Sequence, residues 1–162
     1  MGSDGGKMFT GRHFHSMDNK GRVSIPSRYR EILQDRKDRQ VVLTNFYQRI
    51  QKDEPEQIRY IIAFPTPEWL KIATDLAKKP TFSPHMRNFQ RFLVSGAEEC
   101  PLDRQGRILI PPSLRDYAGL SREVILVGAL RGFEIWDRVA YEAHWQQLEE
   151  SIDEGMLDEL LI

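Results

Sequence analysis

The stretch "MDNKGRVSIP" at residues 17–26 returns as "LDRQGRILIP" at residues 102–111. A repeat at a fixed offset constrains a fold strongly, because each copy must find equivalent neighbours. Aligning Asp18 with Asp103 gives an offset of 85, which also matches Gly21 with Gly106 and Arg22 with Arg107. Ile25 then falls on Ile110, Pro26 on Pro111 and Arg30 on Arg115. The likeness continues in kind. "QVVLTNF" (40–46) answers "EVILVGA" (123–129), and "AFPTPEWLKI" (63–72) loosely answers "EIWDRVAYEA" (134–143). The first copy carries a longer connection, "YQRIQKDEPEQIR" (47–59), where the second has "LRG" (130–132).

Each half therefore reads strand, tight turn, strand, short helix, strand, turn, strand, helix. "DNKG" and "DRQG" carry turn chemistry: Asp bonds the backbone two residues on, and Gly supplies a positive φ. "VSI" and "ILI" are short strands ended by Pro26 and Pro111, which cannot continue a ladder. Helices open at Ser27 and Ser113, and Gly119 is placed to close the second of them. "TPEWLKIATDLAKKP" and "SPHMRNFQRFLVSG" read as two further helices with Pro67 and Pro84 in their first turns. Met86, Phe89, Phe92 and Leu93 recur at helical spacing, a stripe expected to pack on the core. A last acidic helix follows from Tyr141, expected to fray or break at Gly155.

Strands this short cannot each make a barrel alone. Two interleaved half-barrels would bury one shared core. The expected fold is α+β: two tandem swapped-hairpin β-barrel repeats with short helices and a pseudo-two-fold within the chain. The division expected is a flexible leader at 1–7, a first repeat with its helix at 8–80, a connecting helix at 81–94 and a second repeat at 95–162. The opening "MGSDGGK" lacks an apolar core for secretion, and Met8 reads as a natural start. No apolar run approaches the roughly 20 residues of a membrane span. With one cysteine, Cys100, a cytoplasmic setting is expected.

Net charge is −1, but it is unevenly spread. Residues 134–162 hold nine acids and one Arg, leaving +7 on the rest of the chain. Such asymmetry fits either a basic body that meets a polyanion or merely a solvated acidic helix.

Three blocks in order, "MFTGRHFHSMDNKGRVSIPSRYRE", "GAEECPLDRQGRILIPPSLRDYAGL" and "VILVGALRGFEIWD", make the chain resemble the MraZ family of bacterial transcriptional regulators. That resemblance covers the chain from Met8 onward and implies two AbrB-like swapped-hairpin repeats. It implies a ring-shaped homo-oligomer, an octamer or dodecamer. It further implies binding to tandem short G-rich repeats in double-stranded promoter DNA of the division and cell-wall gene cluster, with a nucleoid-associated location. By the same resemblance Arg22 and Arg107 are the DNA contacts.

The residue chemistry is compatible. Cations hold phosphates, and the planar Arg fork also fits the O6 and N7 edge of guanine. Lys20 and Arg104 add charge in the same turns, and Gly21 and Gly106 shape them. Asp18 and Asp103 stand four residues before each Arg, where a carboxylate can orient the guanidinium. The pair can equally serve only to staple its turn. A ring would repeat the turns, so a DNA with repeated sites gains avidity.

Other chemistries find little support. His13 and His15 share a strand face but lack a third ligand at a recognisable spacing, so no metal and no cofactor is expected. There is no P-loop, GxGxxG or HExxH pattern. Cys100 has no evident activating partner, and Glu98 and Glu99 point to opposite faces of a strand. Trp69, Trp136 and Trp145 are expected to pack helices. An enzyme is not expected. The competing reading is an oligomeric protein–protein scaffold or antitoxin-like module on the same fold.

Overall fold

The computed structural model describes residues 7–50, 53, 55–80 and 82–160. Most of the leader expected at 1–7 lies outside them. The elements run β1 (Arg12–Ser16), β2 (Arg22–Ser24), α1 (Ser27–Asp35), β3 (Gln40–Arg49), β4 (Gln57–Pro65), α2 (Thr66–Ala77) and α3 (Pro84–Ser95). The second half follows with β5 (Glu98–Pro101), β6 (Arg107–Leu109), α4 (Pro112–Ala118), β7 (Glu123–Gly128), β8 (Phe133–Asp137), α5 (Arg138–Glu150) and α6 (Gly155–Leu160). The fold is α+β.

Six strands form one antiparallel sheet in the order β1-β7-β8-β4-β3-β5, and β2 pairs with β6 in a separate ribbon. The order is the same read from either end once each strand is exchanged for its repeat counterpart. The registers agree: His15 faces Val124 as Cys100 faces Val41. Equivalent residues meet each other at Val23–Ile108 in the ribbon. The two hairpins join where Ile62 faces Glu134, flanked by Ile61–Ile135 and Ala63–Phe133. These pairs mark the pseudo-two-fold. The first strand of each half pairs with the hairpin of the other, which is the swap.

The interleaved halves share one core, as expected, without closing the sheet into a barrel. β1 and β5 end the six-stranded sheet without meeting, and the ribbon pairs with neither. The ribbon strands are three residues long. Each is bounded by a tight turn and a Pro, which leaves too little ladder to wrap around the sheet.

The ribbon instead packs on one sheet face with α1 and α4. Val23, Ile25, Ile108 and Ile110 bury there beside Leu43, Ile61, Leu126 and Ile135. Tyr29 lies edge-on to Phe9 at 5.1 Å between ring centroids, and its hydroxyl donates to the Thr10 carbonyl at 2.8 Å. A smaller cluster on the other face stacks Tyr60 on Trp136 at 4.3 Å and adds Tyr141 from α5.

Gly119 ends α4 in the left-handed conformation, φ 61°. α1 begins at Ser27 and α4 at Pro112, both without a side-chain cap. Ser83 caps α3 by accepting from the Met86 amide. The stripe on α3 is less buried than its spacing suggests: Leu93 is buried but Phe89 is 39 % exposed. The Gln90 amide donates to the Leu76 carbonyl at 2.8 Å, and near the helix's C-terminal end the Thr44 hydroxyl donates to the Leu93 carbonyl and the Asn45 amide to that of Phe92. Of the tryptophans, Trp136 is buried, whereas Trp145 is partly exposed and receives Arg12 over its ring at 4.8 Å. The acidic helix breaks at residues 151–154, before Gly155 rather than at it.

Candidate nucleic-acid interface

The two repeated turns have one geometry. In the first, the Asp18 carboxylate accepts from the amides of Lys20 and Arg22, each at 2.9 Å, and from Arg22 Nε at 2.7 Å. The Asp18 amide in turn donates to the Arg22 carbonyl, and the Gly21 amide to the Asp18 carbonyl. In the second, Asp103 accepts from the amides of Gln105 and Arg107 and from Arg107 Nε, all at 2.9 Å. Gly21 and Gly106 take φ of 91° and 75°, values that L side chains rarely adopt.

These bonds act on the carboxylates. The Arg22 amide, then its guanidinium and the Lys20 amide, hold Asp18 down to about 2, and the same pattern lowers Asp103. Both remain ionised at neutral pH. Each carboxylate takes its arginine through Nε, the inner edge of the guanidinium. Among the described residues none accepts from the Nη groups of Arg22 or Arg107. The edge suited to bidentate recognition is therefore left, among these residues, without a protein acceptor on two half-buried side chains.

The ribbon sets where the two arginines stand. Val23 and Ile108 point into the core, so Arg22, Ser24, Arg107 and Leu109 share the opposite face. Arg22 faces Leu109 and Arg107 faces Ser24, which makes the arginines diagonal neighbours, about 7–8 Å apart at Cα. Lys20 and Arg104 are exposed at the tips of the two turns. The four cations singled out in the sequence thus lie along the ribbon and the turns at its two ends, with Asp18 and Asp103 beside them, while Gly21 and Gly106 are buried beneath side chains of the opposite half.

Two members were missed as site residues. Arg115 lies over the first turn: a Cβ on Gly21 would fall 2.6 Å from its Cζ. Arg30 lies over the second, where a Cβ on Gly106 would fall 2.4 Å from its Cδ. Each turn is covered by the helix of the other half. The offset had matched Arg30 with Arg115, and that match was the available signal.

The remaining candidates are not drawn together. His13 lies edge-on to Tyr29, with Nε2 3.3 Å from the Thr10 carbonyl. Among the described residues no group of three His, Cys, Asp or Glu side chains gathers to hold a metal. Cys100 is buried and its thiol is pushed up to about 11 by that burial. No helix among the described residues is long and apolar enough to cross a membrane.

Comparison with known proteins agrees with this architecture. The family model described as "MraZ protein, putative antitoxin-like" matches residues 8–51 and 93–159, both turns included. A protein of Acidithiobacillus ferrooxidans named "Transcriptional regulator MraZ" is 43% identical over 136 residues, 84% of this chain and 87% of that one. Proteins of the same name from Alkalilimnicola ehrlichii and Escherichia coli are each 39% identical, over 94% and 93% of this chain and 97% and 91% of their own lengths. The role in that name is not an enzymatic one. With the model matching most of the chain and such identity across it, the chain belongs to the MraZ family.

Proposed function

We propose that this protein is a sequence-specific regulator of transcription that grips double-stranded promoter DNA through the face of the β2–β6 ribbon. The observation that carries the reading is the duplicated clamp, in which Asp18 and Asp103 hold Arg22 and Arg107 by Nε and leave the Nη edges free of carboxylate. A guanidinium fixed in this way loses little freedom on meeting guanine or a phosphate. Lys20 and Arg104 add phosphate contacts at either turn. The name borne by the relatives supports the same role.

The DNA would carry tandem short G-rich repeats, in the promoter of the division and cell-wall gene cluster. One ribbon presents few cations. A homo-oligomeric ring presents many, and repeats spaced near one helical turn would face one side of the duplex. The experiment is an anisotropy titration of a tandem-repeat promoter fragment over a salt series, with wild type and Arg22→Ala/Arg107→Ala. Loss of two phosphate-type contacts lowers the log–log salt slope by about 2. Equal affinity in a double variant of unchanged oligomer size would refute the site.

The second reading, an antitoxin-like protein-binding module, is favoured by the family description. It predicts no binding to the fragment, or binding indifferent to salt and to both arginines.

A further inference from the structure

One left-handed position is filled by different residues in the two halves. Helix α4 ends at Gly119, φ 61°, whose amide donates to the Asp116 carbonyl while that of Leu120 donates to Arg115. Helix α1 ends with the same bond pattern, Lys37 to Gln34 and Asp38 to Leu33. There the left-handed residue is Lys37, φ 56°. A side chain in that conformation is strained where glycine is not, and such strain is commonly retained at functional sites.

Lys37 lines a cleft of about 650 Å³ beside the second turn, together with Arg30, Arg39, Arg104, Asp38 and Asp103. All four cations are exposed. Both carboxylates are engaged elsewhere. Asp38 accepts from the Thr66 amide at 2.6 Å, the Thr66 hydroxyl and the Gln40 amide, and Asp103 is taken up in its own turn. Among the described residues no side chain forms an ion pair or hydrogen bond with any of the four cations. The corresponding region of the first turn has one cation fewer. Lys20 answers Arg104 of the second, but Gly119 replaces the lysine, Arg115 Nε is bound to the Ile110 carbonyl at 3.0 Å, and Arg122 lies 4.0 Å from Glu123.

We propose that the cleft around Lys37 is a phosphate-binding cradle present at the second turn only, so that the two turns hold DNA unequally. The inference rests on the DNA-binding reading above. Its occupant is a backbone phosphate flanking the bases met by Arg107. Four unpaired cations meet one anion there, and Lys37 retains a conformation that a glycine would hold without strain.

The test uses the full chain, with Lys37→Gly and Gly119→Lys, in the same salt-dependent anisotropy titration and in thermal melts. Lys37→Gly is expected to raise Tm by about 2–4 °C, as the left-handed strain is relieved. It also lowers the salt slope by about 1 and weakens binding about fivefold near 0.15 M salt. Gly119→Lys does the reverse: space for its Cβ is open, with nothing within 4 Å, so Tm falls and the slope rises. Slopes unchanged in both variants, with wild-type binding intact, overturn the cradle and leave the DNA reading standing. No binding by wild type overturns the DNA reading itself. Calorimetry with inorganic phosphate separates the sources. Heat seen with phosphate alone and lost in Lys37→Gly makes a free anion the occupant and overturns the backbone assignment. Heat seen only with the DNA fragment supports the backbone phosphate.

Discussion

Replacing Gly21 by alanine tests the arrangement of the turn, because two separable costs meet there. The residue sits at φ 91°, where a Cβ costs about 1–2 kcal/mol. The Cβ would also lie 2.6 Å from Cζ and 2.7 Å from Nε of Arg115, so that side chain must move. Moving it breaks the bond from Arg115 Nε to the Ile110 carbonyl, a loss of about 1 kcal/mol. Together these give about 2–3 kcal/mol, or a fall in Tm of about 4–12 °C for a chain of this size. The assay is thermal unfolding of Gly21→Ala with and without Arg115→Ala. Without Arg115 only the backbone cost remains, so the pair is non-additive by about 1 kcal/mol. Gly119→Ala supplies the backbone cost alone, since nothing crowds its Cβ. If Gly21→Ala costs the same in both backgrounds, within the roughly 0.5 kcal/mol of ordinary additivity, Arg115 does not cover the turn and the argument fails.

Two further outcomes are expected. Asp18 is held at about 2, below its ordinary 3.8, and Asp103 is lowered in the same direction. Their contribution is present above the unfolded value and lost as pH falls through the folded one, so melts should weaken between about pH 4 and 2, and Asp18→Asn/Asp103→Asn should flatten that window. Cys100, buried with its thiol raised to about 11, should react with a disulfide reagent at pH 8 only upon unfolding, which a labelling time course against denaturant reads directly.

Much of the architecture was legible because it is local and doubled. The Asx bonds, the positive φ of Gly21 and Gly106 and the left-handed Gly119 follow from residue types at fixed spacing. The repeat further implied an approximate two-fold and a shared core; the pairing of β2 with β6 on that axis emerged only from the structure. Whether the interleaved half-barrels close was not legible, since short strands ended by proline allow a ribbon as readily as a barrel. What cannot be seen along the chain is contact between halves. Arg30 and Arg115 matched at the offset, yet each acts on the glycine turn of the other half, some 76–94 residues distant in sequence. Lys37 carried no signal either, because a lysine after a helix is unremarkable until its φ is known.

The swap also sets a timetable. β1, at residues 12–16, has its partner at 123–128, and Phe9 bridges to Leu130. A ribosome adding about 5–20 residues per second therefore needs about 5–20 s after exposing β1 to deliver the strand that covers it. Between the completion of β4 at Pro65 and the arrival of β6 at Arg107, the first half has its own hairpin but neither β1's partner nor β2's. The nascent chain is thus an unpaired edge with a buried-to-be face for most of its synthesis, and the protein's aggregation risk is concentrated before the second repeat emerges.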